Sequence, residues 1–193
     1  MKRCNLRLFI IALLFFISGY VSEGRACQSG GDTFAVEHDA SGNLVAVWQA
    51  KSTTNGFGEI YGSTMPAGGS WTSAVMFSVE NVQCEKPLVA VAANGNAVSV
   101  WLANDDHGSF LEASILPYGG SWTVPVAVSD YNVEEVMNNS YGIIMDDSGN
   151  MTAFWTGYMI DGSSPPSQQV FRSASGFFGA AWTSPVTLSP PPD

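Results

Sequence analysis

From about Thr33 onward, apolar residues recur at every second position in short runs set between clusters of Gly, Asn, Asp and Ser. "NLVAVW" ends at Trp48, "NAVSVW" at Trp101 and "NMTAFW" at Trp155. These runs are rich in β-branched and aromatic residues and alternate with period two, which predicts half-buried strands. No stretch of ten residues or more places apolar residues at helical spacing, so an all-β chain is expected.

The runs also repeat. The three tryptophans that end them are 53 and 54 residues apart, and a second tryptophan follows in each unit at Trp71, Trp122 and Trp182. In the middle unit "PLVAVA", "AVSVWLA", "SFLEASIL" and "WTVPVAVS" read as four strands, broken by "ANGN", "NDDHG" and "PYGG". Gly and Asn supply the positive φ that such turns demand, and Asp bonds to its own backbone. The matching first turns elsewhere are "DASGN" before Leu44 and "DDSGN" before Met151. Four antiparallel strands recurring about every 54 residues are the pattern of a β-propeller blade. Three propeller-type repeats are therefore expected, about 33–79, 86–130 and 140–189. Trp48, Trp101 and Trp155 are expected to pack between blades, with ligand stacking as the other role open to them.

The second tryptophans sit in "PAGGSWT", "PYGGSWT" and "GFFGAAWT", read as the turn into the fourth strand. This motif resembles the BNR or Asp-box repeat of sialidase-like propellers, Ser-x-Asp-x-Gly-x-Thr-Trp. Thr64, Gly68, Ser70 and Trp71 fall on matching places, as do Gly119, Ser121 and Trp122, and Ser175, Gly179 and Trp182. The aspartate is replaced throughout, by Pro66, Pro117 and Phe177. The resemblance implies a propeller in which this motif is a structural turn. It also implies a test for sialidase chemistry, because those enzymes grip a substrate carboxylate with three arginines, using arginine's planar fork.

That test depends on what leaves with the N-terminus. "MKRCNLR" is basic, Leu8 to Val21 is an apolar run, and "GRA" precedes Cys27. This reads as a secretory signal peptide over 1–26, and the apolar run is shorter than the ~20 residues of a membrane span. A secreted or periplasmic location follows, with lipidation at Cys27 as a minor alternative. Without the leader, Lys51, Lys86 and Arg172 are the only Lys and Arg left, while Glu23 alone departs from the 17 acidic residues. One arginine cannot make the triad, and a chain this acidic is a poor partner for nucleic acid.

Other chemistry is thinly marked. His38 and His107 are isolated, and "NDDHG" and "DDSGN" lack the ligand spacing of a calcium loop, so no metal or cofactor is expected. Glycoside hydrolysis needs two carboxylates ~5–9.5 Å apart; Asp105, Asp106, Glu134, Glu135, Asp146 and Asp147 are candidates, with solvated turns as the bland account. Asn138 and Asn150 head glycosylation sequons. Cys27 and Cys84 remain after the leader and either form a disulfide or stay separate thiols.

The expectation drawn from this is a secreted, non-catalytic propeller module, not an enzyme. It would bind a glycan or a protein through Tyr118, Tyr131, Tyr158, Phe177 and Phe178 on its loops. The alternative is a fragment of a sialidase-like or other glycoside hydrolase whose catalytic blades are missing. Three blades fall short of the ~4–8 of closed propellers, so a homodimer completing a six-bladed ring is a further expectation.

Overall fold

The computed structural model describes residues 34–106, 108–130, 134–160 and 169–188; the segment 1–26, Cys27, His107 and Tyr131 lie outside them. Blade 1 contains β1 (Phe34–His38), β2 (Leu44–Lys51), β3 (Gly58–Met65) and β4 (Val75–Met76). Blade 2 contains β5 (Gln83–Val91), β6 (Ala97–Asp105), β7 (Gly108–Leu116) and β8 (Val126–Ala127). Blade 3 contains β9 (Glu134–Met145), β10 (Asn150–Met159), β11 (Gln169–Phe177) and β12 (Val186–Thr187). Each blade is one antiparallel sheet with its strands in chain order. The protein is an all-β arc of three propeller-type blades.

The period-two alternation decides which face meets which blade. In β2, Val45 and Val47 are buried against blade 2 while Ala46 and Trp48 take the opposite face. In β6 the two faces serve two neighbours: Ala97, Trp101 and Ala103 join the core shared with blade 1, Val100 and Leu102 the core shared with blade 3. The middle blade is covered on both sides, so β6 is buried from Ala97 to Ala103. Phe77 of blade 1 stacks on Trp122 at 4.2 Å between ring centroids and meets Trp101 edge-on at 5.4 Å.

The recurring Trp-Thr pair divides its labour. In each blade the threonine N–H donates to a carbonyl of the third strand, Thr72 to Thr64, Thr123 to Ile115 and Thr183 to Ser175. The threonine Oγ1 accepts from the N–H of that same strand residue, at 3.0 Å in all three blades. With the turn closed by threonine, the tryptophan side chain is free to reach the preceding blade, as Trp122 and Trp182 do. The fourth strand is shorter than the sequence pattern predicts, only two residues in each blade, and the tryptophan precedes it instead of opening it. It is the outer edge strand, where a short strand limits unwanted pairing.

The strand that the pattern starts at Pro87 begins four residues earlier, at Gln83, with a break in register between Glu85 and Leu88. Pro87 has no N–H to give the ladder, so the chain bulges around it.

Candidate functional site

The arc has two ends of different construction. At the turn end, the β1–β2 and β9–β10 connections are held by one aspartate each. Asp39 Oδ1 accepts from Ser41 N at 2.8 Å and Asn43 N at 2.9 Å, and Oδ2 accepts from Asn43 Nδ2 at 2.6 Å. Asp146 makes the same three bonds with Ser148 and Asn150, and hydrogen bonds led by the Asn150 side chain hold its carboxyl below its ordinary value. Asp147 Oδ1 accepts from Ala93 N at 2.9 Å, tying blade 3 to blade 2. These carboxylates are committed to the scaffold.

Tyr118, Phe177 and Phe178 also lie at this end. Tyr118 is 65% exposed and lines a groove of about 190 Å³ with Asp39, Asn43, Met65, Pro66 and Leu116. Its ring lies against Gly95, and its N–H donates to Asn96 Oδ1 at 3.0 Å. Phe177 and Phe178 flank Gly149 of their own blade. Tyr158 lies at the far end of β10, paired with Gln169 and Glu135, whereas Asn150 at the near end pairs with Phe177. Eight residues of strand, roughly 26 Å at ~3.3 Å each, separate the two levels. The structure therefore does not gather Tyr118, Tyr158, Phe177 and Phe178 into one site, and Tyr131 lies outside the described residues.

The loop end carries the strained backbone. Among the described non-glycine residues, Asn81 and Lys86 alone have positive φ, 64° and 55°. Lys86 precedes Pro87, which restricts its backbone further. It sits in the bulge of β5, and β1, β5 and β9 lie side by side along the inner edges of the blades. Three groups fix it: Tyr141 Oη donates to the Lys86 carbonyl at 2.6 Å, Lys86 Nζ donates to Asn138 Oδ1 of blade 3, and Glu85 Oε2 lies 4.0 Å from Nζ. Asn104 Nδ2 donates to the other Glu85 oxygen at 3.3 Å, and Ser109 donates to Asn104. Burial holds the Tyr141 phenol far above its usual range, so it remains a donor. An ammonium, a carboxylate and an amide thus converge on the inner strands, on a residue whose conformation costs ~1–3 kcal/mol. The signal available in the sequence was "EKP", a proline where a strand should run.

A second group is buried between blades 1 and 2. Trp101 Nε1 donates to Glu112 Oε2 at 3.0 Å, and burial raises the Glu112 carboxyl above its ordinary value, the Trp101 bond opposing the rise. On the face of blade 1 turned away from blade 2, beside Trp48, Tyr61 Oη donates to Glu59 Oε2 at 2.9 Å. Cys84 is fully buried, its thiol pushed up to about 12 chiefly by desolvation; the partner suggested for it, Cys27, lies outside the described residues. Of the candidate acids, Asp105, Asp106 and Glu135 are exposed. Arg172 stands opposite Trp155 and donates to the Pro185 carbonyl of its own blade at 3.1 Å. Among the described residues no three His, Cys, Asp or Glu side chains gather to hold a metal ion.

No family model matches the chain, and no curated protein does. Among solved structures the chain is similar to the polysaccharide lyase Uly1, at 10% identity and a TM-score of 0.47, over 79% of this chain and 40% of that one. It is also similar to an endo-arabinase from Bacteroides thetaiotaomicron, at 13% identity and a TM-score of 0.48, over 91% of this chain and 66% of that one. The chain spans less than two thirds of the length of either, and the likeness is one of fold. Both are enzymes, which corrects the expectation that the chain is not one. The missing arginine triad bears on sialidase chemistry and does not speak against other chemistry on the same architecture.

Proposed function

We propose that this chain is a three-blade section of a carbohydrate-active β-propeller, and that the glycan lies across the loop end over Lys86. The observation that carries the reading is Lys86 itself: a non-glycine residue before proline, held at φ 55° between Glu85 and Asn138. Strained residues cluster where geometry serves a ligand. The convergent groups suit a sugar, whose vicinal hydroxyls need both donors and acceptors, and the ammonium adds a contact for a sugar carboxylate. In this reading the three Trp-Thr turns are worn Asp-box repeats that shape the blades, and the apolar leader Leu8–Val21 sends the chain out of the cytoplasm.

The test is incubation with a panel of neutral and acidic polysaccharides, following both product release and retardation in affinity gels. Activity or retardation on an acidic polysaccharide is expected, lost in Lys86→Met and kept in Tyr118→Ala. Silence on every polysaccharide would sink the reading, as would a loss in Tyr118→Ala that Lys86→Met does not share.

A further inference from the structure

Each blade has a front, bearing its two tryptophans, and a back, bearing the apolar residues of the alternate register. The front of blade 2 packs on the back of blade 1, and the front of blade 3 on the back of blade 2. The same positions meet both times. On the fronts, Trp101 and Trp155 are both 0% exposed. On the backs, Ile60 and Leu111 are both 0% exposed, and Phe77 and Val128 are 6% and 3%. One backbone bond fixes these last residues in every blade: Phe77 N–H to the Ile60 carbonyl, Val128 to Leu111, and Leu188 to Phe171.

Among the described residues, the third copy of each face is largely exposed. On the front of blade 1, the ladder row Phe34, Trp48, Tyr61 and Met76 corresponds to the row Tyr141, Trp155, Arg172 and Thr187 that blade 3 turns toward blade 2. Trp48 is only half-buried there, stacked on Tyr61 at 6.2 Å, and Trp71 is 47% exposed and Phe34 52%. On the back of blade 3, Phe171 is 42% exposed and Leu188 52%, at the positions buried as Ile60 and Phe77 in blade 1. Ile144, which faces the same way beside Thr152, is 60% exposed. The two ends of the arc are thus the two halves of an interface that the chain already makes twice.

We propose that the back of blade 3 receives the front of blade 1 of a second copy, and that two copies close a ring of six blades. The contact is head-to-tail, and such contacts make rings where the rotation closes. Two arcs of three blades sum to six, within the ~4–8 blades of closed propellers. Closure also removes the two large apolar faces that a monomer would leave in water.

The experiment is light scattering on the full chain, as its expression host matures it, across a dilution series. A discrete dimer is expected for the unaltered chain. Trp71→Glu on the front and Phe171→Glu on the back each spoil both interfaces of a ring, raising the dissociation constant roughly tenfold or more. Mixing the two variants leaves one unaltered interface, formed by the front of one and the back of the other, so a mixed dimer reappears. A monomer at the highest soluble concentration, a ladder of larger species, or variants that still dimerise alone would each overturn the proposal. Circular dichroism checks that the variants fold, and Phe34→Glu replaces Trp71→Glu should the latter fail.

Discussion

Trp101 and Glu112 face one another across β6 and β7, the indole N–H donating to a carboxylate oxygen at 3.0 Å inside the core between blades 1 and 2. The same pair of positions holds Trp48 and Tyr61 in blade 1, and Trp155 and Arg172 in blade 3. The tryptophan is repeated while its partner changes: in blades 2 and 3 its ring fills the blade interface, and the partner serves local needs.

Glu112→Ala should cost about 1–3 kcal/mol, since it leaves the Trp101 N–H buried without its acceptor. Glu112→Gln keeps an acceptor and separates charge from packing. Burial, aided by Asp105, raises the Glu112 carboxyl above 4.5 against the Trp101 bond. A carboxyl raised by folding gives its full stability below its unfolded value and loses it as pH rises through the folded one. Glu112→Gln is therefore expected to be more stable than the parent at neutral pH, with the advantage gone below about pH 4.5. Urea titrations at the two pH values check this; an advantage that grows in acid refutes it.

Asp39 carries the opposite sign. Burial pushes its carboxyl up, but hydrogen bonds from Asn43, Ser41 and Gly42 outweigh this and leave it below 3.8. Its contribution is present above the unfolded value and is lost as pH falls through the folded one. Asp39→Ala should lower stability by about 1–2 kcal/mol at neutral pH and by much less in strong acid. A loss that does not shrink in acid would mean that the turn is held by something other than the ionised carboxylate.

A methyl group at Gly58 would sit 2.2 Å from the Cys84 carbonyl oxygen and 2.4 Å from Gln49 Nε2. The carbonyl belongs to the ladder of blade 2 and cannot swing aside. Gly58→Ala is expected to destabilise the chain by about 2–3 kcal/mol, read by thermal melting. An unchanged melting temperature would show that blades 1 and 2 do not approach so closely.

Cys84 should resist thiol reagents in the folded chain, because it is fully buried and its thiol is pushed up to about 12. Full reaction is expected on unfolding without reductant. Rapid labelling of the native protein would contradict the burial. A thiol that stays silent even after unfolding would mean that Cys84 is already bonded.

Lys86→Gly relieves the positive φ, so the folded chain should gain up to about 1 kcal/mol while its glycan activity falls. Greater stability with activity intact would show that the strain serves packing alone.

By itself the sequence determined the all-β class, the three repeats and the turns between strands, because alternation, positive-φ glycines and self-bonding aspartates act over a few residues. The spacing of "NLVAVW", "NAVSVW" and "NMTAFW" was enough to read the blades. What only the tertiary structure decided is which copies of a repeated residue are covered. Trp71 and Trp122 have the same local sequence, yet one is exposed and the other lies on Phe77, because blade 2 has a blade in front of it and, among the described residues, blade 1 has none. The same holds for Lys86 and Glu112: the proline after Lys86 was its one local mark, and Glu112 had none. A bulge around Pro87 and a neighbouring blade create their surroundings, and burial by distant segments leaves no local pattern to read.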